Sequence, residues 1–140
     1  MVCPFCKVLN EKPNEIIKNN KNTFVILSNP RLMPGHILII PKRHVERLSD
    51  LTMEERNELF DEAIKCEEMV LKKIASGCDI SQHYRPFIKQ NNLKVNHLHM
   101  HIRPRESEDE LFEKVQKYET NVFTELKKDE FNKYKKLLSN

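Results

Sequence analysis

The sequence has no apolar run long enough to cross a bilayer. The longest, HILIIP at residues 36–41, is far short of the roughly 20 residues that a transmembrane helix requires. MVCPFCKVLN carries no basic segment followed by an apolar stretch, so no secretory signal is visible and a cytoplasmic protein without membrane partners is expected. Neither sign of charge dominates, with 24 Lys and Arg against 21 Asp and Glu. The net charge is +3, too mild to argue for a nucleic-acid partner. The lysine-rich stretch ELKKDEFNKYKKLLSN reads instead as a solvated helix face. Cysteine is sparse, four in 140 residues, which excludes a disulfide scaffold. There is no internal repeat, no low-complexity linker and no carboxylate cluster of the kind that holds a catalytic metal. What remains is an ordinary globular balance, 39% hydrophobic and 32% charged, in a chain long enough to bury one core.

IIKNNKNTFVIL reads as strand, polar turn and strand, with Asn19 to Asn22 as the turn. NPRLMPG is a loop marked by Pro30, Pro34 and Gly35. HILII is an interior strand that Pro41 ends. Thr52 and Glu55 form a capping box that opens a long helix, with Phe60, Ala63, Ile64, Val70, Leu71 and Ile74 at helical spacing and Gly77 as its stop. CDISQHYRPFIK is a strand with a break near Pro86, QNNLK a turn, and VNHLHMHIR a further strand. KKDEFNKYKKLL is the best helix candidate after residue 105. No clean βαβ alternation appears, so the fold class is α+β with an antiparallel sheet.

The stretch VNHLHMHIRPR places His97, His99 and His101 at every second position, separated by Leu98, Met100 and Ile102. On a strand the imidazoles share one face and the apolar residues the other, which can pack under the long helix. Neighbouring rings then start about 6.6 Å apart, close enough to serve one site. Arg103 has the same parity. Three readings compete: a polar face with incidental histidines, a metal site from His-x-His, and nucleophilic catalysis by one imidazole with the others as helpers. A row of neutral imidazoles beside basic groups suits a phosphorylated substrate.

Cys3 and Cys6 form a CxxC whose readings are metal ligation, a redox pair or a plain apolar turn. No strand precedes it, which disfavours the redox reading. Cys66 and Cys78 read as core residues, His36 as a structural link between loop and strand, and His83 as incidental.

HLHMHIRPR resembles the His-φ-His-φ-His-φ-φ signature of the histidine triad family of nucleotide hydrolases and transferases. NPRLMPGHILIIPKRHVERLSDL and CPFCKVL resemble, in the right order, the segment before that family's long helix and the opening of its zinc-bearing members. The resemblance spans residues 1–105. It implies a sheet of about five strands with a long helix, and leaves residues 106–140 as a helical extension packed on the same domain. It implies that His99 attacks the α-phosphorus of a nucleotide to form a nucleotidyl-histidine. The His97 main-chain carbonyl would orient His99, and His101 would assist at the phosphate. For zinc it implies four ligands, Cys3, Cys6, His44 and His97, in a structural site. The chemistry itself is expected to need no metal beyond any Mg²⁺ on the polyphosphate. A homodimer joined through sheets and long helices is also implied.

This chain departs from the family in two places. Relatives carry Gly-Gln-Ser/Thr-Val before the triad, where this chain has Leu93 and Lys94 at the Gln and Ser/Thr positions. Lys94 would supply a charge in place of a hydroxyl, with Gln90, Asn91 and Asn92 as amide contacts. Ser28, followed by Asn29, stands where relatives carry Asp or Asn for the ribose hydroxyls. Val8, Leu9, Phe24 and Ile26 are candidates for the base pocket. The expected substrates are dinucleoside polyphosphates such as diadenosine tetraphosphate. Phosphoramidate hydrolysis and a non-catalytic nucleotide- and zinc-binding adaptor are the alternatives.

Overall fold

The structure is a computed structural model that describes residues 2–115 and 122–139. Its strands are β1 (Ile16–Asn19), β2 (Thr23–Leu27), β3 (Ile37–Pro41), β4 (Gly77–Gln82) and β5 (Met100–Arg105). Its helices are α1 (Pro4–Glu11), α2 (Met53–Lys73), α3 (Glu110–Val115) and α4 (Lys128–Leu138). The chain divides into two compact units, Met1–Asp109 and Glu110–Asn140. The first holds the sheet with α1 and α2; the second holds α3 and α4.

All neighbouring strands are antiparallel, in the order β1-β2-β3-β5-β4. The expected hairpin joins β1 to β2, where the Asn20 N–H donates to the Thr23 carbonyl at 2.9 Å. TFVIL and ILIIP lack polar alternation because β2 and β3 are covered on both faces. Val25, Ile37, Ile39, Met100 and Ile102 meet Leu59, Ala63 and Val70 of α2 on one side. Phe24, Ile26, Leu38 and Ile40 meet Phe5 and Val8 of α1 on the other. Cys66 is buried in the first of these layers and Cys78 packs against it.

Several sequence expectations change. CPFCKVL holds α1, which the periodicity did not signal: the helix has eight residues, and Cys3 is its N-cap with Pro4 at the first position. The α2 capping box is present, with the Glu55 N–H on Thr52 Oγ1 at 3.2 Å and the Thr52 N–H on Glu55 Oε2 at 3.4 Å. The buried face of α2, however, is Glu55, Leu59, Glu62, Ala63, Cys66 and Val70. Phe60 (51% exposed), Ile64 (55%), Leu71 and Ile74 point to solvent instead. The helix ends at Lys73, and Gly77 is already the first residue of β4. β4 closes at Gln82, before the expected break at Pro86. The last strand starts at Met100, not Val95, because Leu98 donates its N–H to the Val45 carbonyl at 2.6 Å and so joins a loop rather than a neighbouring strand. Pro104 stays within β5 because it lies past the Met100–Ile102 stretch that pairs with β3.

Candidate active site and metal centre

β5 and the turn before it carry the histidine row. Met100 and Ile102 are buried in the α2 layer, and by alternation His101 and Arg103 lie on the opposite face. The His99 and His101 rings are 4.7 Å apart between centroids, and Phe5 of α1 packs its edge against His99 at 5.0 Å. His97 is 2% exposed.

The hydrogen bonds assign each imidazole a tautomer. His99 Nδ1 lies 2.7 Å from the His97 carbonyl, which can only accept. The proton therefore sits on Nδ1, and Nε2 carries a free lone pair. His36 Nδ1 accepts the Leu32 N–H at 3.1 Å, so neutral His36 is protonated on Nε2. That nitrogen is 2.9 Å from His101 Nδ1, which must accept, leaving the His101 proton on Nε2. The result is a base nitrogen on His99 and an N–H donor on His101, on rings in contact. Burial keeps both rings neutral. It lowers His99, and together with the neighbouring His99 and His36 rings it pushes His101 down to about 3. Burial, then Arg103, lowers His36 to about 4.

His36 was expected only to link loop and strand. The pairing register reveals more: β3 pairs with β5 so that Leu38 faces His101, and His36, two residues along, shares that parity. His83, expected to be incidental, stacks on His101 at 5.2 Å between ring centroids. It follows the end of an adjacent strand, and no local pattern marks it.

Two cavities meet at His99. The first, about 350 Å³, is lined by Phe5, Val8, Ile26, Ser28, Asn29 and Asn92 among others. Ser28 donates its hydroxyl to the Pro30 carbonyl at 2.9 Å, leaving its oxygen able to accept. Of the expected base-pocket residues, Val8 and Ile26 line this cavity, while Phe24 is fully buried in the core and Leu9 packs beside it. The second cavity, about 320 Å³, is lined by His83, Arg85, Lys94, His99 and His101, with Asn91 shared between the two. Asn91 Oδ1 accepts the N–H groups of Leu93 (2.7 Å) and Lys94 (3.0 Å) and so shapes the loop. Gln90 lines neither cavity. Its Oε1 accepts the Asn96 N–H at 3.0 Å and holds the loop against the triad.

Cys3, Cys6, His44 and His97 converge so that their donor atoms all lie within 4.8 Å of one another. His97 Nε2 donates to the Pro41 carbonyl at 2.8 Å, so the free lone pair is on Nδ1. That nitrogen is 3.3 Å from Cys3 Sγ and 3.6 Å from Cys6 Sγ, and His44 Nδ1 is 3.6 Å from Cys6 Sγ. Tetrahedral zinc with ordinary bond lengths requires sulfur–nitrogen edges of about 3.5 Å, so the donor set and its spacing fit. Burial, then the adjacent Cys3 thiol, pushes Cys6 up to about 11, a penalty that a divalent cation between the sulfurs reverses. The CxxC does start a helix, but it faces two imidazoles rather than standing free as a redox pair.

The HIT domain family profile matches residues 10–108. The chain belongs to the HIT domain family. Among curated HIT relatives, a HIT-like protein of Methanocaldococcus jannaschii is 35% identical over 74% of this chain and 79% of its own length. The bis(5'-nucleosyl)-tetraphosphatase of Schizosaccharomyces pombe is 30% identical over 85% of this chain and 61% of its own. The adenosine 5'-monophosphoramidase of Saccharomyces cerevisiae is 29% identical, covering 76% and 64%. A crystal structure of a HIT protein from Bacillus subtilis shares the fold, with a TM-score of 0.75, 23% identity and coverage of 99% and 96%. A zinc-bound HIT protein from Mycobacterium smegmatis superposes with a TM-score of 0.66 at 27% identity, covering 79% and 80%. The five-stranded antiparallel sheet expected from the sequence is thus the HIT fold.

Proposed function

We propose that this chain is a nucleotide hydrolase that acts at the α-phosphate of dinucleoside polyphosphates through a nucleotidyl-histidine on His99. The observation that carries this reading is the locked tautomer: His99 Nδ1 is held on the His97 carbonyl, so Nε2 keeps a free lone pair on a ring that lines both cavities. The nucleoside occupies the Ser28 cavity. His99 Nε2 attacks the α-phosphorus, and the bond from phosphorus to the leaving phosphate oxygen breaks with its electrons going to that oxygen. His101 Nε2–H stabilises the charge by hydrogen bonding. Water then attacks phosphorus, gives a proton to solvent, and releases the nucleotide and His99. Ser28 and Asn29 bind on the nucleoside side, Lys94 on the leaving side; Asn91 and Asn92 border the phosphate path, and Gln90 supports their loop.

Phosphoramidates are the second reading, favoured by the name of the yeast relative. The neutral state of His101 favours anhydrides. A neutral imidazole donates a hydrogen bond but is a weak acid; a phosphate leaves as an anion, whereas an amine needs a proton.

We further propose that Cys3, Cys6, His44 and His97 hold structural zinc. When bound, zinc would draw the thiols into their anionic form and tie α1 to the His97 turn. A homodimer is supported by the exposed apolar stripe Met53, Phe60, Ile64 and Leu71 of α2 and by β4, which among the described residues pairs with β5 alone. No described helix is long and apolar enough to cross a membrane, and the four free cysteines suit the reducing cytoplasm. Of the expected helical extension over residues 106–140, the described residues hold α3 and α4, while 116–121 and 140 lie outside them.

The test is to trap the intermediate. Protein turning over diadenosine tetraphosphate is denatured rapidly in alkaline detergent, which spares the acid-labile phosphorus–nitrogen bond, and its intact mass is measured. The wild type is expected to carry one nucleotidyl group on His99. His99→Ala is expected to carry none and to lose at least about 10³-fold in kcat. Turnover without an adduct at His99, or a binding-only protein, overturns the hydrolase reading.

A further inference from the structure

The two cavities that meet at His99 differ in charge. The Ser28 cavity mixes signs, with Lys7, Lys12 and Glu15 on its wall. The second cavity has Arg85 and Lys94 and no carboxylate, beside the three imidazoles of His83, His99 and His101. Among the described residues neither cation is paired with an acid. Lys94 Nζ donates to the Ile88 carbonyl, which leaves two of its three hydrogens free for an anion. Behind His101 lies a third cation. Arg103 donates from Nη2 to Ser81 Oγ at 2.9 Å, and its buried Nε has no hydrogen-bond partner among the described residues. Two cations and no carboxylate, on a partly enclosed wall that also includes Ile88, Leu93 and Val95, focus positive potential onto an anion at the mouth.

We propose that this second cavity is built for a polyphosphate leaving group, and that Arg85 and Lys94 are specificity-determining residues which select the phosphate chain beyond the scissile bond. The inference rests on the hydrolase reading above and deepens it. Lys94 replaces a neutral hydroxyl with a charge, and Arg85, on the turn that follows β4, adds a planar donor suited to two phosphate oxygens at once. Arg103 lines neither cavity and is assigned no part in this selection. A substrate that expels a neutral amine gains nothing from this wall, so the site discriminates by the charge of what departs.

The test has two arms. In the first, kcat/KM is measured for diadenosine tetraphosphate and for an adenosine phosphoramidate in the wild type, Arg85→Ala, Arg85→Lys and Lys94→Met. The ratio of the two values is expected to fall at least about tenfold in Arg85→Ala and in Lys94→Met, and to recover partly in Arg85→Lys. A ratio that stays constant while both substrates weaken overturns the proposal, since that is what a merely structural role would produce. In the second arm, calorimetry follows inorganic tripolyphosphate binding to the same proteins. Its dissociation constant is expected to rise at least about tenfold in each alanine or methionine variant, and the wild-type affinity to weaken with added salt. Equal affinity across all variants overturns the proposal. This arm needs no turnover, so a wild type that forms no adduct on His99 sinks the hydrolase reading while leaving the cavity's charge selection to be decided by itself.

Discussion

His36 lies just outside β3, yet it determines which nitrogen of His101 carries the proton. Leu32 fills its Nδ1, and its Nε2–H fills His101 Nδ1. Replacing it by alanine removes the lock on the donor proposed to serve the leaving group, so kcat is expected to fall about 10²-fold with a smaller change in KM. Steady-state kinetics check this; a pure KM effect would contradict it. Burial of the same ring has a pH consequence. His36 is held neutral with its folded value near 4, against 6.5 for the exposed side chain. The unfolded chain therefore binds the proton first. Stability from this group is fully present above pH 6.5 and is lost as pH falls through about 4. Tm is expected to drop between pH 6.5 and 4, with a shallower limb in His36→Ala; equal limbs would refute the assignment. The triad spacing could be read from single residues, but His36 and His83 could not, because their partners lie on other strands.

At the level of elements, the long helix teaches the most. Its capping box was legible because it is a local pattern four residues long. Its buried face was not. Glu62 is 4% exposed, with Lys18 and Asn20 reaching it from the first hairpin at 2.9 and 3.1 Å, and the buried Glu55 is held by Arg43 at 2.9 Å. Polar residues that find partners can occupy a core-facing position, so apolar periodicity found Ala63 and Val70 of the buried face, missed Glu55, Leu59, Glu62 and Cys66, and took in the exposed Phe60, Ile64, Leu71 and Ile74. The loop before β3 is fixed by a different constraint. Gly35 has φ +77°, and a Cβ there would lie 3.2 Å from Pro104 Cγ. Gly35→Ala is expected to destabilise the protein by about 1–2 kcal/mol, measured by urea unfolding. An unchanged midpoint would show that the loop relaxes freely.

Across the whole molecule, the cysteines and histidines join segments far apart in the chain: Cys3 meets His97 across 94 positions. Metal at this point would close nearly the full domain. Chelation, or Cys3→Ser, is expected to remove one zinc per chain by elemental analysis, to lower Tm, and to reduce kcat through the loosened His97 turn. A protein purified without zinc and indifferent to chelators would exclude the metal. The proposed dimer would bury the exposed stripe of α2. Ile64→Glu puts a charge on its centre, so sedimentation is expected to show a dimer in the wild type and a monomer in the variant. A monomeric wild type would refute the dimer.

The sequence by itself determined the donor types, the strand parity that puts His99 and His101 on one face, the hairpin turn and the start of the long helix. Each follows from covalent spacing, with period 2 along a strand or a cap within one turn. The tertiary structure alone decided which ring nitrogen holds each proton, which face of α2 is buried, and how His99 divides a mixed-charge cavity from a cationic one. Those outcomes depend on hydrogen bonds and packing between residues that only folding brings together, and no periodicity encodes them.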